Sequence, residues 1–255
     1  MIIMLNIPES EVASNKKLAA KSFTFDKLQH WLLHTPLGRD ILRTERIFFH
    51  QNVGTLFGNY SLQIGLNQIN FLHGNKIPNH YTLDVDLISD LRFLPIASNS
   101  IDLIVCPHVL EFTNNYHYIL QEFSRILTPQ GKLIITCFNR YSWFGLLKGR
   151  IPLIKKANLI SLDKLSSQLQ TLNLRIEGGK FFSYCPPFAK AKTLKKYNWL
   201  NKIGDRWLPT FANCFTIIAS KEVITPTLIK AKDLEAFSAL NSELGIGTAQ
   251  VCNKN

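Results

Sequence analysis

The chain has 255 residues, is 46% hydrophobic, 18% charged and 11% aromatic, and carries a formal charge of +11. So much apolar and aromatic mass excludes a disordered chain and is enough for one large globular core. No window reaches the ~18 to 20 uninterrupted apolar residues of a membrane span. The apolar start, Met1 to Leu5, runs at once into Glu9, Ser10 and Glu11, where a signal peptide would stay apolar, so a soluble, cytoplasmic protein is expected.

In chain order, residues up to about Ser22 read as an irregular arm. From Leu28 to Leu33, and again from Leu37 to Phe57, the pattern is helical: Ile41, Leu42, Phe48, Phe49, Val53 and Leu56 share one stripe, opened by Thr35 as N-cap and Pro36 in the first turn. Such a stripe needs a sheet or another helix to cover. His30 and His34 stand four apart but lack a third ligand, so they read as interfacial side chains. Ser61 to Leu66, Ile101 to Cys106 and Lys132 to Phe138 are short apolar strands, and His80 to Val85 is a weaker one. Asn115 to Leu127 puts Ile119, Leu120, Phe123, Ile126 and Leu127 on one helical face, which makes strand, helix, strand a βαβ unit with a buried parallel sheet. A helix from about Ser161, a strand near Leu174 to Glu177 and a last strand from Cys214 to Ser220 follow.

The five cysteines are scattered, without a C-x-x-C pair or His/Cys clustering, which argues against a disulfide framework and against a metal site. Cys106, Cys137 and Cys214 lie in strands and are expected to be buried, inert thiols. The positive excess lies mainly in the second half: Arg140, Lys148, Arg150, Lys155 and Lys156 occur with no acid between Arg140 and Leu162, and further lysines follow from Lys190. Tyr141, Trp143, Phe144, Tyr184, Tyr197, Trp199 and Trp207 are interspersed with them. Aromatics beside cations suit RNA or a phosphorylated small molecule, and equally an amphipathic lid over an apolar, lipid-like one.

In an open α/β sheet, ligands bind outside the carboxyl ends of the strands. The first strand ends Leu62-Gln63-Ile64-Gly65-Leu66, with a single glycine where a nucleotide site usually has several. The stretch after it is more specific. It runs Asp90, Leu94-Pro95, Ser100-Ile101-Asp102, Val109-Leu110-Glu111, then Leu120, Glu122, Arg125, Leu127, Pro129 and Gly131, and closes at Phe138-Asn139. This order and spacing resemble class I S-adenosylmethionine-dependent methyltransferases of the type-11 domain group, most of all a bacterial branch with a degenerate glycine motif and a Thr35-Pro36-Leu37-Gly38 segment.

The resemblance implies a three-layer, Rossmann-like α/β sheet, mostly parallel with an antiparallel last strand. It implies an N-terminal arm and helix over 1–57, a methyltransferase-like domain over 58–224 with a basic, aromatic acceptor side at 146–210, and a tail over 225–255. S-adenosylmethionine is the implied cofactor. Gly65 would face its methionine part and Asp90 its adenine amino group, Asp84 or Asp86 its ribose, and Cys106 with His108 its sulfonium end. His108 would orient or deprotonate an acceptor and Asn139 would position it. The acceptor would be a small or lipid-like molecule, or RNA. A catalytically silent binding module for RNA or another anion is the alternative function. For Asp102, Glu122 and Arg125 structural roles are expected. Only 24 residues separate Gly65 from Asp90, too few for two helices and two strands, so a shortened first helix and a reduced or absent third strand are predicted.

Overall fold

A computed structural model describes residues 25–83, 91, 93–187, 204 and 209–222. It opens with two helices, α1 over residues 25–34 and α2, Pro36–Val53. Thr35 joins them. Its hydroxyl donates to the Trp31 carbonyl (2.8 Å) and accepts from the Gly38 amide (3.0 Å), which satisfies one free N–H of the α2 first turn. Gly38 is needed because a Cβ there would lie 2.3 Å from the Trp31 carbonyl oxygen. The predicted stripe of Ile41, Leu42, Phe48, Phe49 and Val53 is buried. The helix ends at Val53, four residues before the expected Phe57, because Gly54 caps it and Phe57 points into solvent (80% exposed).

Among the described residues six strands form one sheet: β1 (Tyr60–Ile64), β2 (Asn79–Leu83), β3 (Ile101–Pro107), β4 (Leu127–Phe138), β5 (Leu174–Phe182) and β6 (Cys214–Lys221), in the order β2-β1-β3-β4-β6-β5. The first four neighbours are parallel, and β6 is antiparallel to both β4 and β5, as expected. Helix α3 (Tyr116–Ile126) feeds directly into β4, the short α4 (Trp143–Leu146) follows β4, and α5 (Leu162–Thr171) precedes β5. The strand positions match the apolar runs, with β4 and β5 longer than predicted. Between β1 and β2 the expected first helix is replaced by turns. The interval 84–90, where a reduced or absent third strand is predicted, lies outside the described residues.

Each face of the sheet has its own core. On one, Ile104, Cys106, Leu133 and Ile135 pack with Leu120 and Phe123 of α3 and Leu165 and Leu169 of α5. On the other, Leu103, Val105, Ile134 and Phe138 meet Leu28, Leu32, Ile41 and Phe49 of α1 and α2, so the N-terminal helices cover the sheet. Ile69, Phe71, Leu72 and Ile77 join this second core and fill the space left by the missing helix. Each such fully buried side chain contributes on the order of 1.5–3 kcal/mol.

The structural roles expected of the motif residues are visible. Asp102 accepts from the Asn59 and Tyr60 amides and the Thr128 hydroxyl, tying together the starts of β1, β3 and β4. Glu122 accepts from the Leu94 amide and pairs with Arg125, whose guanidinium donates to the carbonyls of Leu94 and Ile96. The Leu94-Pro95 loop is therefore clamped to α3. Near the start of β4 it is Gln130, at φ +64°, that takes the left-handed conformation. Gly131 serves differently: a Cβ there would come within 2.8 Å of the Thr128 carbonyl.

Candidate functional site at the carboxyl edge of the sheet

The chain runs from β1 outward to β2 and then returns to β3 on the other side, so the strand order reverses between β1 and β3. That switch point is where an open α/β sheet leaves a crevice for a ligand. Gly65 ends β1 there at φ +77°, with its amide bonded to the Leu83 carbonyl, a backbone geometry that strains any residue with a Cβ. The next residue, Leu66, is also left-handed, at φ +47°. What holds this glycine-poor loop is Gln63, buried in the strand before it. Its amide nitrogen donates to the carbonyls of Gly65, Leu66 and Ile69, and its oxygen accepts from the Phe71 amide. Asp84, Asp86 and Asp90 lie outside the described residues.

At the end of β3, His108 is left-handed (φ +53°) and fully buried. Its Nδ1 lies 2.8 Å from Glu111 Oε1 and its Nε2 2.7 Å from Glu45 Oε1, while its ring stacks 4.1 Å from that of Phe138. Burial alone would lower the imidazole pKa. The Glu45 charge and the hydrogen bonds to Glu111 and Glu45 outweigh it and raise the pKa to about 10. At neutral pH His108 is therefore an imidazolium that donates from both nitrogens and keeps no lone pair for a proton. Glu111 Oε1 also accepts from the Phe138 amide, which links the turn after β3 to the end of β4, while Glu45 ties both to α2 through His108. The second oxygens of both carboxyl groups are buried without a hydrogen-bond partner among the described residues.

Cys214 completes this cluster, with its sulfur, Glu45 and His108 offering ligand-type atoms within 4.8 Å of one another. The Cys106, Cys137 and Cys214 thiols are raised well above the usual range by burial first and by nearby carboxylates second, and so stay protonated. These are the inert thiols expected of strand cysteines. His30 and His34 stack at the exposed surface of α1, with rings 4.3 Å apart.

Asn139, two per cent exposed, directs its amide inward: the nitrogen donates to the Thr210 and Ala212 carbonyls and the oxygen accepts from the Tyr141 amide. Gly65 thus stands at the switch point, Cys106 and His108 are buried at the end of β3, and Asn139 follows β4 and binds backbone. Two residues that complete the site were missed in the sequence. Glu45 sits on the buried stripe of α2 between Leu42 and Phe48, and Gln63 sits inside an apolar strand. A lone polar residue in an otherwise buried position was the signal in both cases, since such a group must find a partner.

Beyond β4 the same edge holds a cavity of about 440 Å³, lined by Asn114, Arg140, Lys148, Asn158, Ser161 and Lys164 among others. Gly145 lets α4 close over it, because a Cβ there would collide with the Arg140 carbonyl oxygen at 1.7 Å. Among the described residues no helix is long and apolar enough to cross a membrane.

Residues 67–135 match the family model described as a methyltransferase domain, Methyltransf_11. Over 206 residues the chain is 25% identical to the uncharacterized protein YafS of Escherichia coli (strain K12), covering 77% of this chain and 79% of that protein. Among solved structures, it resembles a chain of the complex between the Haloferax volcanii Trm112 methyltransferase activator and a methyltransferase, with a TM-score of 0.54, 12% identity, and coverage of 77% of this chain and 98% of that one. It also resembles a SAM-dependent methyltransferase of Thermotoga maritima, with a TM-score of 0.52, 16% identity, and coverage of 79% and 98%. With the strand order, the antiparallel last strand and the motif residues in place, the chain carries a class I methyltransferase fold whose residues 67–135 match the type-11 methyltransferase domain.

Proposed function

We propose that the chain is an S-adenosylmethionine-dependent methyltransferase whose cofactor lies at the switch point between β1 and β3 and whose acceptor enters from the β4 side. The observation that supports it best is Gly65, a left-handed glycine at the end of β1 beside the strand reversal, in a chain with a methyltransferase domain match. It presents backbone, free of a Cβ, where the methionine part of the cofactor would approach. Asp90 and Asp86 are assigned to the adenine and the ribose, and Cys106 to the wall behind the sulfonium end. When bound, the cofactor supplies a methyl group already activated by the positive sulfur. The protein's own task is then to align acceptor and methyl and to exclude water.

In this reading His108 is a positioning residue. Held as an imidazolium by Glu45 and Glu111, it fixes the left-handed turn after β3 and the 3-10 turn Leu110–Phe112 that follows. Asn139 likewise fixes the exit of β4. Calorimetric titration of the full chain with S-adenosylmethionine and S-adenosylhomocysteine tests the proposal. Binding that Asp90→Asn weakens by about tenfold or more is expected, from the loss of a charged hydrogen-bond acceptor. No binding at millimolar ligand overturns it.

A further inference from the structure

The cavity beyond β4 lies outside the carboxyl ends of β3 and β4. Asn114 follows the turn after β3, Arg140 stands two residues past the end of β4, and Ser161 and Lys164 open α5. Ile160 is drawn alongside by a parallel bridge to Asn139. Three cations converge on this space, from Arg140, Lys148 and Lys164, and among the described residues no carboxylate lines it. None of the three forms an ion pair or a side-chain hydrogen bond among the described residues. Asp163, the acid nearest in sequence, is exposed and does not line the cavity. Like charges brought together without a counter-ion repel one another, and a bound anion relieves that repulsion.

The neutral lining also favours an anion. Helix α5 has ten residues and its N-cap, Ser161, makes no side-chain capping bond, so the hydroxyl and the first-turn amides stay available at the positive end of the helix. The Asn158 amide, turned toward Asn114 at 3.3 Å, adds further donors. A phosphate group carries about −1.5 to −2 charges and three strong acceptor oxygens, which matches a guanidinium, two ammonium groups and a helix N-terminus better than a single carboxylate does. At about 440 Å³ the cavity has the size of a small-molecule site. Among the described residues the only aromatic ring lining it, Tyr116, is buried and offers no platform for the stacked bases of a nucleic acid strand.

We infer that this cavity binds the phosphate group of a small phosphate ester, and that the methyl acceptor is a molecule of that class. The second clause rests on the methyltransferase reading, and the first does not.

The test is calorimetric titration of the full chain with inorganic phosphate and glycerol 3-phosphate, and sedimentation with phosphatidylcholine vesicles with and without phosphatidic acid. A single-stranded RNA oligomer serves as the competing ligand. The Arg140→Gln/Lys164→Gln double variant is compared, both residues being exposed. Expected is binding of both soluble phosphates that weakens about tenfold or more in the variant, from loss of two charged donors. Tighter binding to phosphatidic acid vesicles than to glycerol 3-phosphate assigns the phosphate to a lipid headgroup, and the reverse assigns it to a soluble ester. No phosphate binding at millimolar ligand, or binding unchanged in the variant, overturns the inference. So does RNA binding tighter than that of glycerol 3-phosphate and lost in the variant. Cofactor titration is scored separately: phosphate binding without S-adenosylmethionine binding overturns the methyltransferase reading and leaves the anion site standing.

Discussion

The carboxyl edge of the sheet holds two clusters of ionisable side chains, and they are built in opposite ways. Around His108, two carboxyl groups and an imidazole are fully buried and bonded to one another, with α2, β3 and β4 meeting through them. Around the cavity beyond β4, Arg140 and Lys164 are exposed, Lys148 is partly so, and all three lack a side-chain partner among the described residues. The first cluster uses its charges to fix the backbone, including a left-handed residue at the end of β3. The second leaves its charges unanswered by the protein. Charge that the fold satisfies serves geometry, and charge it leaves unsatisfied is available to a ligand.

This contrast can be broken at its strong end first. His108→Leu leaves the Glu45 and Glu111 carboxyl groups buried without their partner and is expected to cost about 3–5 kcal/mol of stability, measured by urea unfolding. A loss under 1 kcal/mol would show that the cluster does not hold the edge together.

The same group gives a pH dependence. A folded-state pKa raised to about 10, against about 6.5 unfolded, contributes stability that is complete below the unfolded value and is lost as pH rises toward the folded one. The melting temperature should fall between roughly pH 7 and 10, and this slope should be absent in His108→Leu. A smaller effect is expected at Gln63→Leu, about 1–3 kcal/mol, because the Phe71 amide and the carbonyls of Gly65, Leu66 and Ile69 lose a buried partner. Smallest of all, Arg140→Gln and Lys164→Gln should change stability by no more than about 0.5 kcal/mol, since neither side chain holds anything in the fold. A large loss at either would move the cavity into the structural class and erase the contrast.

Much of this arrangement was legible from residue order alone. Near-continuous apolar runs placed β1, β3, β4 and β6, and helical periodicity placed α2, α3 and α5 to within a few residues, because strands buried on both faces leave little freedom in residue choice, whereas the exposed edge strands β2 and β5 gave a weaker signal. Asp102, Glu122 and Arg125 read correctly as structural, since each sits at an element boundary or on a helix surface. The end of α2 was misplaced, because local capping depends on what the neighbouring segment approaches.

The sequence by itself determined the class of fold, the type-11 methyltransferase motif, the erosion of the glycine loop and the concentration of positive charge in the second half. It could not show that Glu45 travels 63 positions to meet His108, or that Gln63 does for the loop what the lost glycines would have left to backbone alone. Nor could it show that Arg140, Lys148 and Lys164, from three separate stretches of chain, face one cavity. Those facts were decided by tertiary structure. Periodicity reports which side of an element is buried, whereas the partner of a buried polar group and the convergence of charges depend on contacts between segments far apart in the chain.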